Sequence, residues 1–380
     1  MIRLLIAGDF APAGRVKSLI ETEKYEELFG QVLSLTQEQD YSIVNLEAPI
    51  VVNGAKPIKK TGPNLICKKN TLESVRYAGF DCVTLANNHV RDYGDIGVFD
   101  TLSSCNEMGI DIVGAGINLE EANKVLYKII KNKKIGFVNF CEKEFSIATT
   151  NNAGANPLNI VSNYYKIQEA KQQADYLIVI IHGGHEFYQL PSPRMKETYR
   201  FFADAGANVI INHHQHCYSG YEVYKETPIF YGLGNFCFDK KEHRNSLWNE
   251  GYMVQLLINN DKINFDLIPY LQCNEKPNIE LLENNSLIYS KINRLNKIIS
   301  DDKALWESFS NFVNNGEKAM LSLFEPYDNR YLKGLRRRGL IPSFISKKKK
   351  RLLLNIMRCD AHRDVMISIL DNFLNSKNYR

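Results

Sequence analysis

Short apolar runs alternate with longer amphipathic stretches through the first 270 residues of the chain. The runs "RLLIAGD", "YSIVNLE", "CVTLANNH", "DIVGAG", "IGFVNF", "YLIVIIHGG", "NVIINHH" and "IFYGLGNF" are short and rich in β-branched residues, so each predicts a strand. Between them, 24–37, 70–79, 95–108, 163–173 and 194–205 have the spacing of helices. Strand, loop and helix in repetition predict an α/β fold, and runs that are apolar nearly throughout predict strands covered on both faces. Two more strands are expected at 251–258 and 262–269, joined through "NNDK" as a hairpin at a sheet edge. After about residue 275 the chain turns rich in Asn, Lys, Leu and Ser with helical periodicity. The expected organisation is an α/β domain over 1–270 and a helical, basic region over 275–380.

Composition changes this picture little. With 380 residues, 44% hydrophobic and 24% charged, the chain is of ordinary globular type, and a net charge of +4 gives no ground for a nucleic-acid partner. None of the eight cysteines forms a CxxC pair and several sit inside apolar runs, which predicts buried thiols. The opening run "IRLLIAGDF" is too short for a membrane span and lacks a cleavage site, so a cytoplasmic protein is expected. Arg336 to Arg338 and Lys347 to Arg351 precede an apolar stretch. Segment 333–351 reads either as a peripheral contact with an anionic membrane face or as solvated charge, and Asp360, Asp364 and Asp371 favour the latter. Lys59 and Lys60 read as part of a solvated loop, and the Gly-x-Gly of "VGAG" as a tight turn.

The chemistry collects where the predicted strands end. Asp9 closes the first, Glu47 the second, Asn88 and His89 the third, and His182 another. His213, His214 and His216 follow in "INHHQHCYSG", and Asn235 in "YGLGNF". Ligands of open α/β sheets and barrels bind at that edge. Carboxylates with imidazoles suit Zn, Mn, Fe or Ni. Two carboxylates, an amide and several imidazoles exceed what one tetrahedral zinc takes, so a site for two metals fits the count better.

The order "GDF", "NLEAPI", "LANNHVRDYG", "HGGHEF", "HHQHCYSGYE", "YGLGNF" resembles the CapA-type capsule-synthesis proteins, named for poly-γ-glutamate capsule synthesis and similar to the calcineurin-like metallophosphoesterases. The resemblance covers about residues 2 to 240. It implies a four-layer α/β/β/α sandwich with a helical C-terminal extension. It also implies a metal-dependent hydrolase of a phosphoester or related bond on an envelope or capsule precursor, holding one or two divalent ions (Mn, Fe or Zn). The implied partner is an anionic polymer or a phosphorylated precursor.

Residue by residue, the resemblance makes Asp9 the first metal carboxylate and Glu47 the bridging one. Asn88, His182, His214 and His216 become further ligands. His89 becomes the proton donor to the leaving oxygen, and Asp92 either orients that imidazole or caps the next helix. His185, Glu186, His213 and Asn235 are candidates for the surrounding shell. Better-known enzymes of the superfamily carry Asp-x-His at the first motif, whereas here the third position is Ala11, so one imidazole is missing. His185, His213 or Glu186 could stand in for it. Gly183-Gly184-His185 and Gln215 also depart from the usual HWGxE and HHPH. Two rivals remain open at this point. One is a non-catalytic accessory protein that binds an acidic polymer or an assembly partner. The other is a (β/α)₈ metal amidohydrolase, against which the hairpin at 251–269 speaks.

Overall fold

The computed structural model describes residues 1–52, 54–60, 62–259, 262–282, 286–322, 329–358 and 370. The chain divides into two compact units, Met1–Phe309 and Ser310–Arg380.

The first unit is built on two sheets. In the first, Ile2–Phe10, Tyr41–Leu46, Cys82–Thr84 and Asp111–Val113 run parallel in that spatial order. On the other side of Ile2–Phe10 lie Glu250–Asn259, Lys262–Gln272 and Ile279–Leu281, all antiparallel. The expected hairpin therefore forms, with Asn259 opposite Lys262, while Asn260 and Asp261 of "NNDK" lie outside the described residues. In the second sheet Lys133–Cys141, Tyr176–His182, Val209–His213 and Thr227–Phe230 are parallel, and Leu126–Ile130 and Tyr221–Tyr224 flank them as hairpin partners.

The sheets face each other. The Tyr41 ring stacks on Phe137 at 5.6 Å, and Phe265 meets Phe230 edge-on at 5.0 Å. Helices cover the outer faces. Val16, Leu19, Leu28, Phe29, Leu72, Val75 and Cys105 pack with Leu5, Val44 and Val83 of the first sheet. On the second, Phe202 lies against Phe140 and Tyr199 stacks on Tyr231 at 5.8 Å. The result is the four-layer α/β/β/α sandwich, and two separate sheets exclude the (β/α)₈ barrel.

Local chemistry sets the helix ends. Asn159 accepts from the N–H groups of Val161 and Ser162 and starts Ile160–Gln172, and Ser192 caps Pro193–Asp204, with proline at the first position. The helix expected over 24–37 is instead two short ones, Tyr25–Phe29 and Val32–Gln37, because Gly30 adopts φ +47° between them. A close backbone approach lies beside Asp9. Asn235–Cys237 pairs in parallel with the end of Ile2–Phe10, and a Cβ on Gly8 would lie 2.0 Å from the Gly234 carbonyl oxygen. Glycine at position 8 is what allows these two segments to meet.

The first unit continues past residue 275. Helix Ser286–Ser300 buries Ile288, Ile292, Leu295 and Ile299, and its Asn296 Oδ1 accepts from the Tyr221 N–H at 2.7 Å. The seven cysteines from Cys67 to Cys273 are free and buried, and Cys359 is outside the described residues. The second unit contains the helices Arg330–Arg337 and Lys347–Arg358. No acidic residue occurs between Asn329 and Arg358. Asp360, Asp364 and Asp371 lie outside the described residues. Among the described residues, no helix is long and apolar enough to cross a membrane.

Candidate metal centre

The carboxyl ends of strands from both sheets converge on one buried polar cluster. Asp9 stands near the end of Ile2–Phe10, where Asn45 Nδ2 donates to its Oδ1 at 2.7 Å and the His214 N–H donates to Oδ2 at 3.2 Å. Glu47 follows Tyr41–Leu46 directly. His182 and His213 end adjacent parallel strands in register, and so project side by side. His214 and His216 follow with φ +97° and +55°, left-handed conformations that turn the chain back into the cluster.

The distances form two overlapping sets. Glu47, His182 and His214 each offer a ligand atom within 4.8 Å of the others, and so do Asp9, Glu47 and His216. Glu47 belongs to both. His182 Nε2 lies 3.0 Å from Asn88 Oδ1, 3.1 Å from His214 Nδ1 and 3.5 Å from Glu47 Oε1. Glu47 is fully buried, yet no hydrogen bond reaches either of its carboxylate oxygens. A buried carboxylate without partners costs on the order of several kcal/mol, so cations held by both sets would supply what the protein withholds. Burial lifts the Glu47 carboxyl to about 8, and burial with the neighbouring Glu47 raises Asp9. Burial pushes the other way on the imidazoles, lowering His182 and His216 and taking His213 and His214 to about 3. Neutral imidazole is the form that binds a metal.

The residues around the cluster fix its orientation. Asn235 Nδ2 donates to the carbonyls of His216 and Trp248, so its Oδ1 must accept, and His216 Nδ1 donates to it at 2.8 Å. That hydrogen bond leaves His216 Nε2 as the lone-pair nitrogen, 3.9 Å from Glu47 Oε1. Asn87, which precedes Asn88, is structural: its Oδ1 accepts from the N–H groups of His89 and Val90, and its Nδ2 donates to the Leu46 carbonyl. The "Asn-Asn-His" strand end thus divides its work, with Asn87 shaping the turn and Asn88 facing His182. His89 Nδ1 donates to Asp92 Oδ2 at 2.6 Å, and the following helix, Gly94–Glu107, has no side-chain cap. Asp92 therefore orients the imidazole.

One expectation is corrected by this geometry, and the remaining candidates take separate places. Lys60 is not in a solvated loop. Its side chain is 3% exposed, ion-paired with Asp92 Oδ1 and 3.2 Å from His89 Nδ1. His185 stands apart from the cluster, against Tyr188 and Phe309, where it lines a cavity of about 890 Å³ beside helix Pro193–Asp204. Glu186 is exposed, and its charge is felt at Glu47. His213 is buried with both ring nitrogens unpartnered, and its Nδ1 is 3.8 Å from Asp9 Oδ1, outside both three-residue sets. Ala11 packs with Phe238 and Trp248. Sequence reasoning missed Glu144, which is hydrogen-bonded to Asn88 and 3.9 Å from His214 Nε2. The acidic "CEKE" just past a strand end was the available signal.

The family model described as bacterial capsule synthesis protein PGA_cap matches residues 3–240. The chain belongs to that family. All six strand-end ligand candidates fall inside the PGA_cap match, and the hairpin and the later helices fall outside it. The chain is 32% identical over 247 residues to the capsule biosynthesis protein CapA of Bacillus anthracis, an alignment covering 63% of this chain and 60% of that one. It is 33% identical over 237 residues to the PGA biosynthesis protein CapA of Bacillus subtilis, covering 61% and 62%. It is also 24% identical over 226 residues to a probable polyglutamine synthesis accessory protein of Mycobacterium tuberculosis, covering 56% and 59%. The match therefore spans about three fifths of the length of these curated relatives.

Proposed function

We propose that this PGA_cap protein serves capsule biosynthesis as a metal-dependent hydrolase acting on a phosphoester or related bond of an anionic envelope or capsule precursor. The observation that carries the reading is Glu47, a fully buried carboxylate without a hydrogen bond, shared by two sets of ligand-competent residues. Asp9, Glu47 and His216 would hold one cation, and Glu47, Asn88, His182 and His214 the other. Mn, Fe or Zn suits these donors. When bound, such ions supply Lewis acidity and a nucleophile at neutral pH. The chain's own residues do the rest. Asp92 holds His89 through Nδ1, so Nε2 is the nitrogen free to give a proton to the departing oxygen. Asn235 keeps His216 in its ligand tautomer. The enclosing sheets keep bulk water from Glu47 and Asp9, both 1% exposed or less.

The test is metal content per chain after purification without chelators, beside a screen of phosphoester substrates. Close to two Mn, Fe or Zn in the wild type, falling in Glu47→Gln, is the expected result. Turnover lost in His89→Ala at unchanged metal content would complete it. No metal even after add-back would sink the catalytic reading. Ala11 favours a second reading. Its methyl group packs with Phe238 and Trp248 and offers no ligand, so Asp9, Glu47 and His216 stand as a set of three. A protein holding a single metal and binding an acidic polymer as an accessory would show about one ion per chain and no loss in His89→Ala.

A further inference from the structure

Next to the Asp9–Glu47–His216 set, the chain holds a cation for which the mechanism above has no use. Lys240 follows the strand Asn235–Cys237, and its Nζ stands 4.4 Å from the centroid of the Phe238 ring and 4.5 Å from that of Trp248. Both rings also touch the metal-competent cluster, since the His216 ring lies 4.7 Å from Trp248 and 5.6 Å from Phe238. The aromatic wall is itself fixed. Trp248 Nε1 donates to the Phe238 carbonyl at 2.6 Å, His243 stacks on the indole at 4.6 Å, and Phe187 stacks on it at 5.9 Å.

The carboxylate nearest in sequence is already taken. Asp239 accepts from the Arg15 main-chain N–H at 2.7 Å, from two nitrogens of the Arg15 guanidinium at 3.0 Å each, and from Arg244 at 3.2 Å. Among the described residues no carboxylate lies within ion-pair distance of Lys240, whose charge is nevertheless felt at Glu47 and His216. The Lys240 ammonium is held on two aromatic faces beside a buried cluster, with cation–π contacts in place of a counter-ion. The acidic side chain Glu144 stands instead with Asn88 and His214. The surroundings are therefore cationic beside His216 and acidic beside His214.

We propose that Lys240, seated on Phe238 and Trp248, is the anchor for an anionic group, phosphate or carboxylate, of the ligand bound at this centre. The proposal rests on the functional reading above, because it assumes that ligands enter beside His216. It also gives a sense to Ala11. A histidine there would have to share the space in which Ala11 packs with Phe238 and Trp248, the two rings that carry the lysine.

The experiment titrates inorganic phosphate and glutarate into the full chain, with and without Mn²⁺, by calorimetry. Wild type, Lys240→Ala, Lys240→Gln and Lys240→Arg are compared, and Mn content and thermal melting are recorded for each. The expected result is a loss of about tenfold or more in affinity for at least one probe in Lys240→Ala and Lys240→Gln, the size of one charge-assisted hydrogen bond. Lys240→Arg should stay close to wild type, with Mn content and melting unchanged in all three. The probe that loses more identifies the group, phosphate or carboxylate. Equal affinity of wild type and Lys240→Ala for both probes would overturn the anchor, and so would a wild type that binds Mn but neither probe. A wild type that takes up no Mn yet shows the Lys240-dependent loss would uphold the anchor and sink the metal reading, so the two failures are distinguishable.

Discussion

Replacing Glu47 with glutamine should make the metal-free protein more stable. The wild-type carboxyl is raised by burial from an ordinary 4.5 to about 8, while in the unfolded chain it ionises freely. Between those values the folded state binds more protons than the unfolded one, so stability falls as pH rises through this window. At about 1.36 kcal/mol per pH unit, the penalty is roughly 3 kcal/mol at pH 7 and somewhat under 5 kcal/mol above pH 8. Glutamine removes the charge but leaves a buried amide short of partners, which costs about 1–3 kcal/mol. The net gain of Glu47→Gln at pH 8 is about 2 kcal/mol, or several degrees in melting temperature for a unit of this size. The assay is thermal melting in chelator from pH 5 to 9, repeated with Mn²⁺. The variant's advantage should shrink toward pH 5 and reverse in Mn²⁺, where only the wild type gains fully from binding. A variant melting at or below wild type at pH 8 in chelator would refute the claim that Glu47 is held there unsatisfied.

Three further outcomes follow from the same geometry. Asn235→Ala frees His216 to take the wrong tautomer and should weaken metal binding about 10- to 100-fold, measured by competition with a chromogenic chelator; unchanged affinity would show that the hydrogen bond is merely structural. Lys60→Met leaves Asp92 buried beside His89 without its cation, and should lower stability by about 3–5 kcal/mol in urea unfolding; a loss under about 1 kcal/mol would mean that the pair is solvated in solution. Neutralising Lys347 to Arg351 with glutamine should abolish retention on vesicles of anionic lipid if segment 333–351 is a peripheral membrane contact; absence of wild-type retention would leave those residues as solvated charge, as the sequence favours.

What the sequence revealed and what it concealed have separate physical causes. The central strands were legible because burial on both faces requires unbroken β-branched runs, and their polar ends stood out against that background. The same contrast brought out Asp9, Glu47, Asn88, His182, His214 and His216, which the structure gathers in one place. The flanking strands Leu126–Ile130 and Tyr221–Tyr224 were not legible. They are only partly buried, so their pattern is mixed. Their turns, Lys131-Asn132 and Lys225-Glu226, take positive φ without the glycine that usually signals such a hairpin. Lys60 was invisible for a different reason. Its partner Asp92 lies 32 positions away, and nothing local distinguishes a lysine bound for a buried ion pair from one in solvent. Asn235 is no more than a candidate in the sequence, because its role depends on two carbonyls, of His216 and Trp248, that tertiary structure delivers.

The pairing of Asn235–Cys237 with the end of Ile2–Phe10 also sets an order of events during synthesis. Asp9 leaves the ribosome well before the His216 that completes its ligand set and the Asn235 that orients this histidine, both of which come more than 200 residues later. At ribosomal rates of about 5–20 residues per second, the first strand waits roughly ten to forty-five seconds for them. Through that interval the nascent chain has a central apolar strand without its antiparallel neighbour Glu250–Asn259, and the two ligand sets are incomplete. A metal held as proposed could therefore not template the early folding of this protein. It would only reward a sandwich that has already closed, and a chain stalled before residue 235 would be a target for chaperones rather than a metal-loaded fragment.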